Sequence, residues 1–150
     1  PGTEAAEMTD QFVDHAVSVD RYERLRTVLS RSSALTHAAR VGRVESVIIG
    51  GPDEADLAAE IADGTGMLNL AGQTSFADIA ALSREAAGVV GNDTGPLHIA
   101  AICGCPSVVL FSDESDPSIT APRGPDVQVL RREKLGDLPV SEVAGALSLR

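Results

Sequence analysis

Residues 88–112 read GVVGNDTGPLHIAAICGCPSVVLFS, and this stretch decides the fold. GVVGND (88–93) is predicted to form a strand, TGPLHIAAIC (94–103) a helix and PSVVLFS (106–112) a second strand. The unbroken apolar character of the last run is typical of a strand that is covered on both faces. A strand, a helix and a strand in this order predict a parallel βαβ unit.

The same alternation extends outward toward the N-terminus. VESVIIGG (44–51) is predicted to be a buried strand that ends in a glycine turn, and MLNLAG (67–72) a shorter strand. Between them, Pro52 opens a predicted helix, DEADLAAEIADG, and Gly64 ends it. These elements add a second βαβ unit to the first.

A further helix and the C-terminal elements complete the pattern. TSFADIAALSREAAG (74–88) has apolar residues at helical spacing, and Ser75 and Asp78 form a predicted capping box at its start. The remaining predictions are a segment that is mostly loop, DESDPSITAPRGPD (113–126), a last strand, VQVLRR (127–132), and a C-terminal helix, SEVAGALSLR (141–150). Alternating strands and helices of this kind predict an α/β fold with a parallel sheet.

The first 43 residues give a weaker pattern. Apolar side chains at helical spacing predict a helix from about residue 20 to 31, while residues 3–18 have no dependable period and are predicted to be loop. With 150 residues, the chain is expected to form one domain, residues 1–150. Because it has no initiating methionine, it is expected to be a segment of a longer protein.

Composition and charge exclude some classes of function. The net charge of −10 argues against nucleic acid as a partner, because such sites set Lys and Arg against phosphates. A small phosphorylated ligand is compatible with this charge, since amides at a helix N-terminus can hold an anion. No apolar run approaches the roughly 20 residues of a spanning helix, and residues 1–12 lack the features of a secretion signal.

The chain has two cysteines, Cys103 and Cys105. Their C-x-C spacing fits neither a zinc site nor a C-x-x-C redox motif, and a disulfide at this spacing would be strained. They are predicted to be small buried thiols in a reducing compartment.

The junction between the strand at 88–93 and the helix at 94–103 is the candidate site. In an open parallel sheet, ligands bind where the carboxyl ends of strands meet helix N-termini. Thr94 can cap the helix, Gly95 lets a ligand approach the backbone, and Thr94 and His98 share one helix face. A carboxylate beside a phosphate repels it, so Asp93 is expected to bond backbone amides or a ligand hydroxyl. The same residue types also occur in ordinary tight turns, and both interpretations remain open on spacing alone.

Residues 69–117 resemble glycosyltransferase family 9, the bacterial ADP-heptose:lipopolysaccharide heptosyltransferases. The family reads approximately N-L-x-G-x-T-S-L, then D-S/T-G-x-x-H-x-A-A, then G-x-P and a strand that ends L-F/Y-G before T-D-P. The matching residues are Asn69, Leu70, Gly72, Thr74, Ser75, Asp93, Thr94, Gly95, His98, Ala100, Ala101, Gly104, Pro106, Leu110, Phe111, Asp116 and Pro117. The resemblance extends over about residues 44–125, and the D-T-G-x-x-H run is its most specific part.

The resemblance implies a Rossmann-like three-layer α/β/α domain, similar to the C-terminal, donor-binding half of a two-domain GT-B glycosyltransferase. It assigns the diphosphate of the nucleotide sugar to Asp93, Thr94, Gly95 and His98. An acidic residue in the loop after the G-G strand would contact the ribose, and Glu54 is preferred over Asp53 for this role.

The resemblance also places Gln73 and Thr74 near the base. For Thr74 and Ser75, the alternative is a purely structural role as helix caps. The donor that the resemblance implies is an ADP-heptose-like, ADP-linked nucleotide sugar, and no other cofactor and no metal is implied.

For the reaction, the resemblance implies inverting, metal-independent sugar transfer in lipopolysaccharide or envelope polysaccharide synthesis. The general base and the site for a lipopolysaccharide core-like acceptor would belong to an N-terminal domain that this chain lacks. No catalytic residue is therefore expected in the chain, which alone should be inactive. The implied location is the cytoplasm, at the inner face of the inner membrane.

The chain departs from the family in its N-terminal part. The family carries a phosphate-binding lysine in a pattern like K-x-W-P-x-x-x-F, and HAVSVDRY places His15 at the lysine position. The opening Pro1 and Gly2 resemble the end of the domain's first strand, so either that strand precedes the chain or the sheet begins differently. Two alternatives therefore stay open: a GT-B enzyme that uses another nucleotide sugar, and a non-catalytic nucleotide-sugar-binding module.

Overall fold

A computed structural model of the chain describes residues 15–18, 46–65 and 67–150. The strands are β1 (His15–Ser18), β2 (Ser46–Ile49), β3 (Leu68–Asn69), β4 (Val89–Asn92), β5 (Ser107–Phe111) and β6 (Val127–Arg131). The helices are α1 (Ala55–Thr65), α2 (Phe76–Glu85), α3 (Gly95–Ile102), α4 (Pro117–Thr120) and α5 (Val140–Ala146), with 3-10 turns at Pro52–Glu54 and Leu135–Asp137.

The six strands of the described residues form one sheet, in the order β3-β2-β1-β4-β5-β6, and every neighbouring pair is parallel. From β1 the chain proceeds to one side of the sheet and from β4 to the other, so the topological switch point lies between β1 and β4. This is the strand order of the dinucleotide-binding Rossmann fold. The predicted α/β fold with a parallel sheet is confirmed.

Helices cover both faces of the sheet because strand side chains alternate in direction. In β5, Val108 and Leu110 pack with side chains of α1 and α5, whereas Val109 and Phe111 pack with Leu97 of α3. All five residues of β5 are buried, as the unbroken apolar run predicts. Each such side chain contributes about 1.5–3 kcal/mol when it is fully buried, so the central strands account for much of the stability of the three layers.

The predicted start of α2 is confirmed in detail and the predicted end of α1 to within one residue, whereas the predicted end of the C-terminal helix is wrong. The capping box at α2 forms: the Asp78 amide donates to Ser75 Oγ at 3.2 Å, and the Ser75 amide donates to Asp78 Oδ2 at 2.8 Å. α1 ends at Thr65, one residue after the predicted stop at Gly64. The C-terminal helix ends at Ala146 rather than at residue 150.

The last residues leave α5 because they bind another helix end. The Arg150 amide donates to Ala87 O at 3.2 Å, and the Arg150 guanidinium donates to the carbonyls of Ser83 at 3.0 Å and Arg84. These carbonyls belong to the last turn of α2, where the helix dipole favours a cation. This contact explains why the predicted helix was too long.

Two further predictions need correction. The segment 3–18 was predicted to be loop, but residues 15–18 form β1, in the middle of the sheet. Pairing with β2 and β4 on both sides supplies the backbone hydrogen bonds that a short strand needs. The sequence of this segment has no side-chain periodicity that would predict the strand. Pro1 and Gly2, which resemble the end of the family domain's first strand, lie outside the described residues. The predicted helix at about 20–31 lies outside the described residues.

The segment 113–126 is mostly loop, as predicted, but it contains the short helix α4. Asp116 starts this helix, because its Oδ1 accepts from the Ser118 amide at 2.9 Å. That bond lowers the pKa of Asp116. Both cysteines are free thiols; Cys105 is buried, as predicted, whereas Cys103 is only half-buried. In the described part of the chain, no helix has the length and apolar character needed to cross a membrane.

Candidate functional site

The β4–α3 junction lies at the carboxyl edge of the sheet, beside the switch point. Thr94 occupies the N-cap position of α3, with extended backbone angles, and Pro96 lies in the first turn, where a missing amide costs nothing. The first intrahelical bond runs from the His98 amide to Thr94 O at 3.1 Å. The helix therefore starts as the sequence predicts, and its first-turn amides point to the carboxyl edge of the sheet.

An open cleft of about 520 Å³ begins at this junction. One wall is the flank of α3, and the other is formed by α4 and the residues that follow it. The lining residues are Asp93, Thr94, Gly95, His98, Ile102, Ile119, Thr120, Ala121 and Arg123. The structure thus brings together all four predicted diphosphate-binding residues, while their role in binding stays a prediction.

Three buried side-chain oxygens in the described residues have no hydrogen-bond partner: Thr74 Oγ1, Asn92 Oδ1 and Thr94 Oγ1. Two of these belong to residues that the sequence assigned to the site, and the third belongs to the residue just before Asp93. Nearly all buried polar groups in proteins are hydrogen-bonded, so each exception calls for a cause. Asn92 and Thr94 lie at the carboxyl end of β4 and Thr74 lies in the segment that follows β3, so all three oxygens lie along the carboxyl edge of the sheet.

The hydroxyl of Thr94 was predicted to cap α3, and this prediction is wrong. Thr94 stands at the N-cap, but its side chain makes no capping bond. Gly95 is exposed, and a Cβ added to it would meet no atom within 4 Å. Neither packing nor a left-handed backbone conformation therefore requires a glycine at this position, which leaves the space beside it open to a ligand.

Asp93 pairs with His98 rather than with backbone amides. Its Oδ1 lies 2.9 Å from His98 Nε2. The Asp93 side chain is 15% exposed and that of His98 42%. The expected bond from Asp93 to backbone amides is wrong, because the first turn of α3 places the imidazole within reach of the carboxylate; the alternative, a bond to a ligand hydroxyl, stays a prediction.

The opposite wall of the cleft was missed by the sequence interpretation. Arg123 is the single Lys or Arg among the residues that line the cleft, and Ile102 and Ile119 are exposed apolar side chains at its rim. A signal was present: 113–126 follows β5, which pairs with β4, so this segment must return beside α3. The three prolines of this segment predict loop, so the short helix α4, which forms part of the wall, was not predicted.

The three predicted nucleoside-binding residues lie elsewhere on the same edge of the sheet. Glu54 follows β2, and its carboxylate accepts from the Gly51 amide, which closes the 3-10 turn. Gln73 and Thr74 follow β3; Gln73 Nε2 donates to Asn69 O at 3.0 Å. Since Ser75 provides the cap of α2, the structural alternative holds for Ser75 and not for Thr74.

These residues do not line the cleft at α3. Glu54 follows β2, two interstrand steps or roughly 10 Å from β4, whereas Gln73 and Thr74 follow β3, three steps or roughly 14 Å from β4. An extended nucleoside diphosphate can bridge such a gap. His15, at the family's lysine position, is the first residue of β1 and pairs with Ser46, so its backbone lies at the amino edge, away from α3. The strand register does not bring His15 to the site.

Within the described ranges, no group of three or more His, Cys, Asp or Glu side chains is arranged to hold a metal ion. Burial raises the pKa of the Cys105 thiol to about 11, and the thiol lies 3.7 Å from Ala86 O. The Cys105 thiol is neutral near neutral pH and belongs to the core beneath α3 rather than to the cleft.

Comparisons with known proteins agree with this fold. Lipopolysaccharide heptosyltransferase 3 of Escherichia coli is 37% identical over 87 residues, which are 55% of this chain and 26% of that protein. A glycosyl transferase family 9 structure from Veillonella parvula covers 95% of this chain and 47% of its own, with a TM-score of 0.78 and 17% identity. The E. coli heptosyltransferase WaaC with ADP covers 94% of this chain and 47% of its own, with a TM-score of 0.73 and 19% identity.

The chain thus spans about half the length of the solved structures it matches, and about a quarter of the curated relative. At these low identities, the solved structures establish the shared fold. The family model of glycosyltransferase family 9 (heptosyltransferase) matches residues 33–142, well over half of the chain. On this match, the chain belongs to glycosyltransferase family 9, the heptosyltransferases.

Proposed function

We propose that this chain is the donor-binding half of a heptosyltransferase-like glycosyltransferase, and that Asp93, Thr94, Gly95 and His98 form the site for the diphosphate of an ADP-linked sugar. The observation that carries the proposal is the set of unpartnered buried oxygens at the carboxyl ends of β3 and β4. A nucleotide sugar along this edge would accept from the Thr94 hydroxyl through a phosphate oxygen and donate to Asn92 Oδ1 through a hydroxyl group.

The chemistry of the junction supports a diphosphate. The first-turn amides of α3 and its partial positive charge favour an anion. The Thr94 hydroxyl and the His98 imidazole add donors on the same flank, and Arg123 on the opposite wall adds a positive charge. The relative solved with ADP shares the fold. An anion-binding site is compatible with the chain's net charge of −10. Its donors are the amides, hydroxyl and imidazole at the start of α3 and the nearby Arg123.

Glu54, Gln73 and Thr74 are proposed to bind the nucleoside. Glu54 would accept a hydrogen bond from a ribose hydroxyl, and Gln73 and Thr74 would face the base. Their positions, two strands (Glu54) and three strands (Gln73 and Thr74) from β4, fit an extended nucleotide that crosses the carboxyl edge with its diphosphate at α3. The unpartnered Thr74 hydroxyl supports this direction of binding.

In the proposed reaction, an acceptor hydroxyl oxygen attacks the anomeric carbon of the sugar from the face opposite to the diphosphate. The bond from that carbon to the β-phosphate oxygen breaks, and ADP leaves with the bonding electron pair. The hydroxyl proton passes to a base outside this half of the enzyme. The contribution of this chain is to stabilise the charge that develops on the leaving diphosphate, with inversion at the anomeric carbon and no metal.

The name of the E. coli relative suggests a lipopolysaccharide core-like acceptor for the whole protein. Such an acceptor would bind a second, N-terminal Rossmann-like domain, as the half-length match to the solved structures suggests. The transfer would take place at the cytoplasmic face of the inner membrane.

Calorimetric titration of the 150-residue chain with ADP, GDP and UDP tests the proposal, first with EDTA and then with Mg²⁺. We expect selective, metal-free binding of ADP. Asp93→Ala and His98→Ala should each weaken it about tenfold or more, the usual effect of losing a hydrogen bond to a charged group or its support. Asp78→Ala, an acid at the start of α2, is the matched control and should bind ADP normally.

Each other outcome has a definite meaning. Tighter binding of GDP or UDP than of ADP would mean that the donor is a sugar linked to that nucleotide and not an ADP-sugar. Binding of ADP by the wild type with no change in either variant would remove the cleft at α3 from the diphosphate site. Absence of binding with all three nucleotides would contradict the assignment of this chain as a donor-binding half.

A further inference from the structure

Asp93 and His98 form a pair at the mouth of the cleft, and the geometry of this pair restricts how the imidazole can meet a phosphate. A carboxylate only accepts hydrogen bonds, so His98 Nε2, at 2.9 Å from Asp93 Oδ1, must carry a hydrogen. Nδ1 is then the nitrogen left for a ligand. Within the described ranges, Nδ1 has no hydrogen-bond partner, and the ring is partly exposed beside the cleft.

Phosphate oxygens are acceptors as well, so Nδ1 can bond one only if it also carries a hydrogen. An imidazole with hydrogens on both nitrogens is the imidazolium cation. A neutral ring held by Asp93 would instead turn the lone pair of Nδ1 toward the diphosphate, and the two would repel. The bond between Asp93 and His98 therefore lets the charged imidazolium bind a phosphate through Nδ1, and it opposes phosphate binding by the neutral imidazole.

The charges that surround His98 act in both directions. Asp93 favours the cation, whereas the N-terminus of α3 and Arg123 on the opposite wall oppose it. The other residues that line the cleft are uncharged. A bound diphosphate adds negative charge on the open side, so the cation is favoured most when the ligand is present.

We propose that Asp93 is a positioning residue, which holds His98 by Nε2 so that the imidazolium binds the donor diphosphate through Nδ1, and that a proton is taken up as the nucleotide binds. This inference rests on the proposed donor-binding function. It also assigns Asp93 a role without direct contact with phosphate, which agrees with the repulsion between a carboxylate and a phosphate.

Proton uptake is measured by calorimetry near pH 7, where histidines change their charge, in buffers that differ in enthalpy of ionisation. The probe is the β-methyl ester of ADP, because both of its phosphates are esterified and neither titrates near neutral pH. For the wild-type chain, the observed enthalpy should vary with the buffer, with a slope that corresponds to uptake of a fraction of one proton.

Three variants assign the proton. His98→Gln should lose the buffer dependence and bind about tenfold more weakly. Asp93→Asn keeps an oxygen that can accept from Nε2, so its affinity should fall near pH 7 and recover at about pH 5.5, where imidazole is charged without help. His37→Gln, the matched control, should keep both the affinity and the buffer dependence.

The failures can be told apart. If the wild type does not bind the ester, the proposed donor-binding function fails. If it binds without any buffer dependence, or if His98→Gln retains the dependence and His15→Gln loses it, the role of the Asp93 and His98 pair is overturned while donor binding stands. Failure of Asp93→Asn to recover at low pH, with an unchanged circular dichroism spectrum, would also overturn the positioning role.

Discussion

The starts of α2 and α3 have the same design in sequence and differ in how their polar groups are used. Each follows a strand and places a hydroxyl at the N-cap, Ser75 in α2 and Thr94 in α3. In α2 the hydroxyl and the carboxylate of Asp78 bond each other and the helix amides. In α3 the hydroxyl of Thr94 has no partner, and the nearby acid bonds a histidine instead.

This difference separates a structural helix start from a functional one. An N-cap side chain contributes about 1 kcal/mol to stability, and a buried unpaired hydroxyl costs about 1–3 kcal/mol. α3 thus gives up stability that α2 obtains from nearly the same residues. The unused groups at α3 lie beside a cleft, whereas Phe76 at the start of α2 is simply exposed to solvent. At α3 the unsatisfied hydroxyl belongs to the N-cap residue itself, whereas at α2 it belongs to Thr74, one residue before a satisfied cap.

The largest effect is expected from Gly124, which fixes the wall of the cleft that stands opposite α3. A Cβ at this position would lie 2.8 Å from the carbonyl carbon of Ala101, so the backbone of the wall packs directly on α3. Gly124→Ala should lower the free energy of unfolding by about 2 kcal/mol, since the contact is with backbone and cannot yield by a side-chain rotation. Urea unfolding followed by circular dichroism measures this change.

Gly136→Ala is the matched control, because a Cβ there would meet no atom within 4 Å. It should leave the free energy of unfolding within about 0.5 kcal/mol of the wild type. Gly124→Ala should also weaken ADP binding as the wall moves away from α3. Equal stability of the two variants would show that the wall is not fixed by its contact with α3.

The second prediction exchanges the roles of the two N-caps. Ser75→Ala should lower the free energy of unfolding by about 1 kcal/mol, whereas Thr94→Val, which replaces an unpartnered hydroxyl by a methyl group, should leave it unchanged or raise it slightly. The order should reverse for ADP: Thr94→Val weakens binding about tenfold, and Ser75→Ala does not. Unfolding curves and calorimetric titrations of the two variants give all four values.

Thr94→Ser serves as the control at the same position, because it keeps the hydroxyl and should keep most of the affinity. A loss of stability in Thr94→Val as large as that in Ser75→Ala would mean that the Thr94 hydroxyl caps α3 in solution. The contrast between the two helix starts would then disappear.

Much of the fold could be predicted because its signals are local. The apolar run of β5, the capping box of α2 and the proline in the first turn of α3 each act within a few residues. β1 could not be predicted, because a short strand in the middle of a sheet depends on neighbours from distant parts of the chain. The end of α5 depends likewise on Arg150, which binds the last turn of α2.

The candidate site shows the same division. The sequence identified Asp93, Thr94, Gly95 and His98 as a group because they are consecutive around one helix start. It did not identify Arg123, which reaches the cleft only because β5 pairs with β4 and the chain then returns beside α3. Nor could it predict the bond between Asp93 and His98, since spacing allows several partners for a carboxylate and the fold selects one.

The smallest effect is a pH dependence confined to α2. Bonds from the hydroxyl and the amide of Ser75 hold the pKa of Asp78 below its usual value of 3.8. A carboxylate whose pKa is lowered by folding stabilises the folded state above its ordinary pKa, and this stabilisation is lost as the pH falls through the lowered pKa. Wild type should therefore be more stable than Asp78→Asn near neutral pH, and the gap should close as acid protonates Asp78. Urea unfolding of both proteins at a series of pH values measures the gap. If it stays constant into acid, the charge of Asp78 adds nothing to the cap, and the two helix starts differ in hydrogen-bond geometry alone.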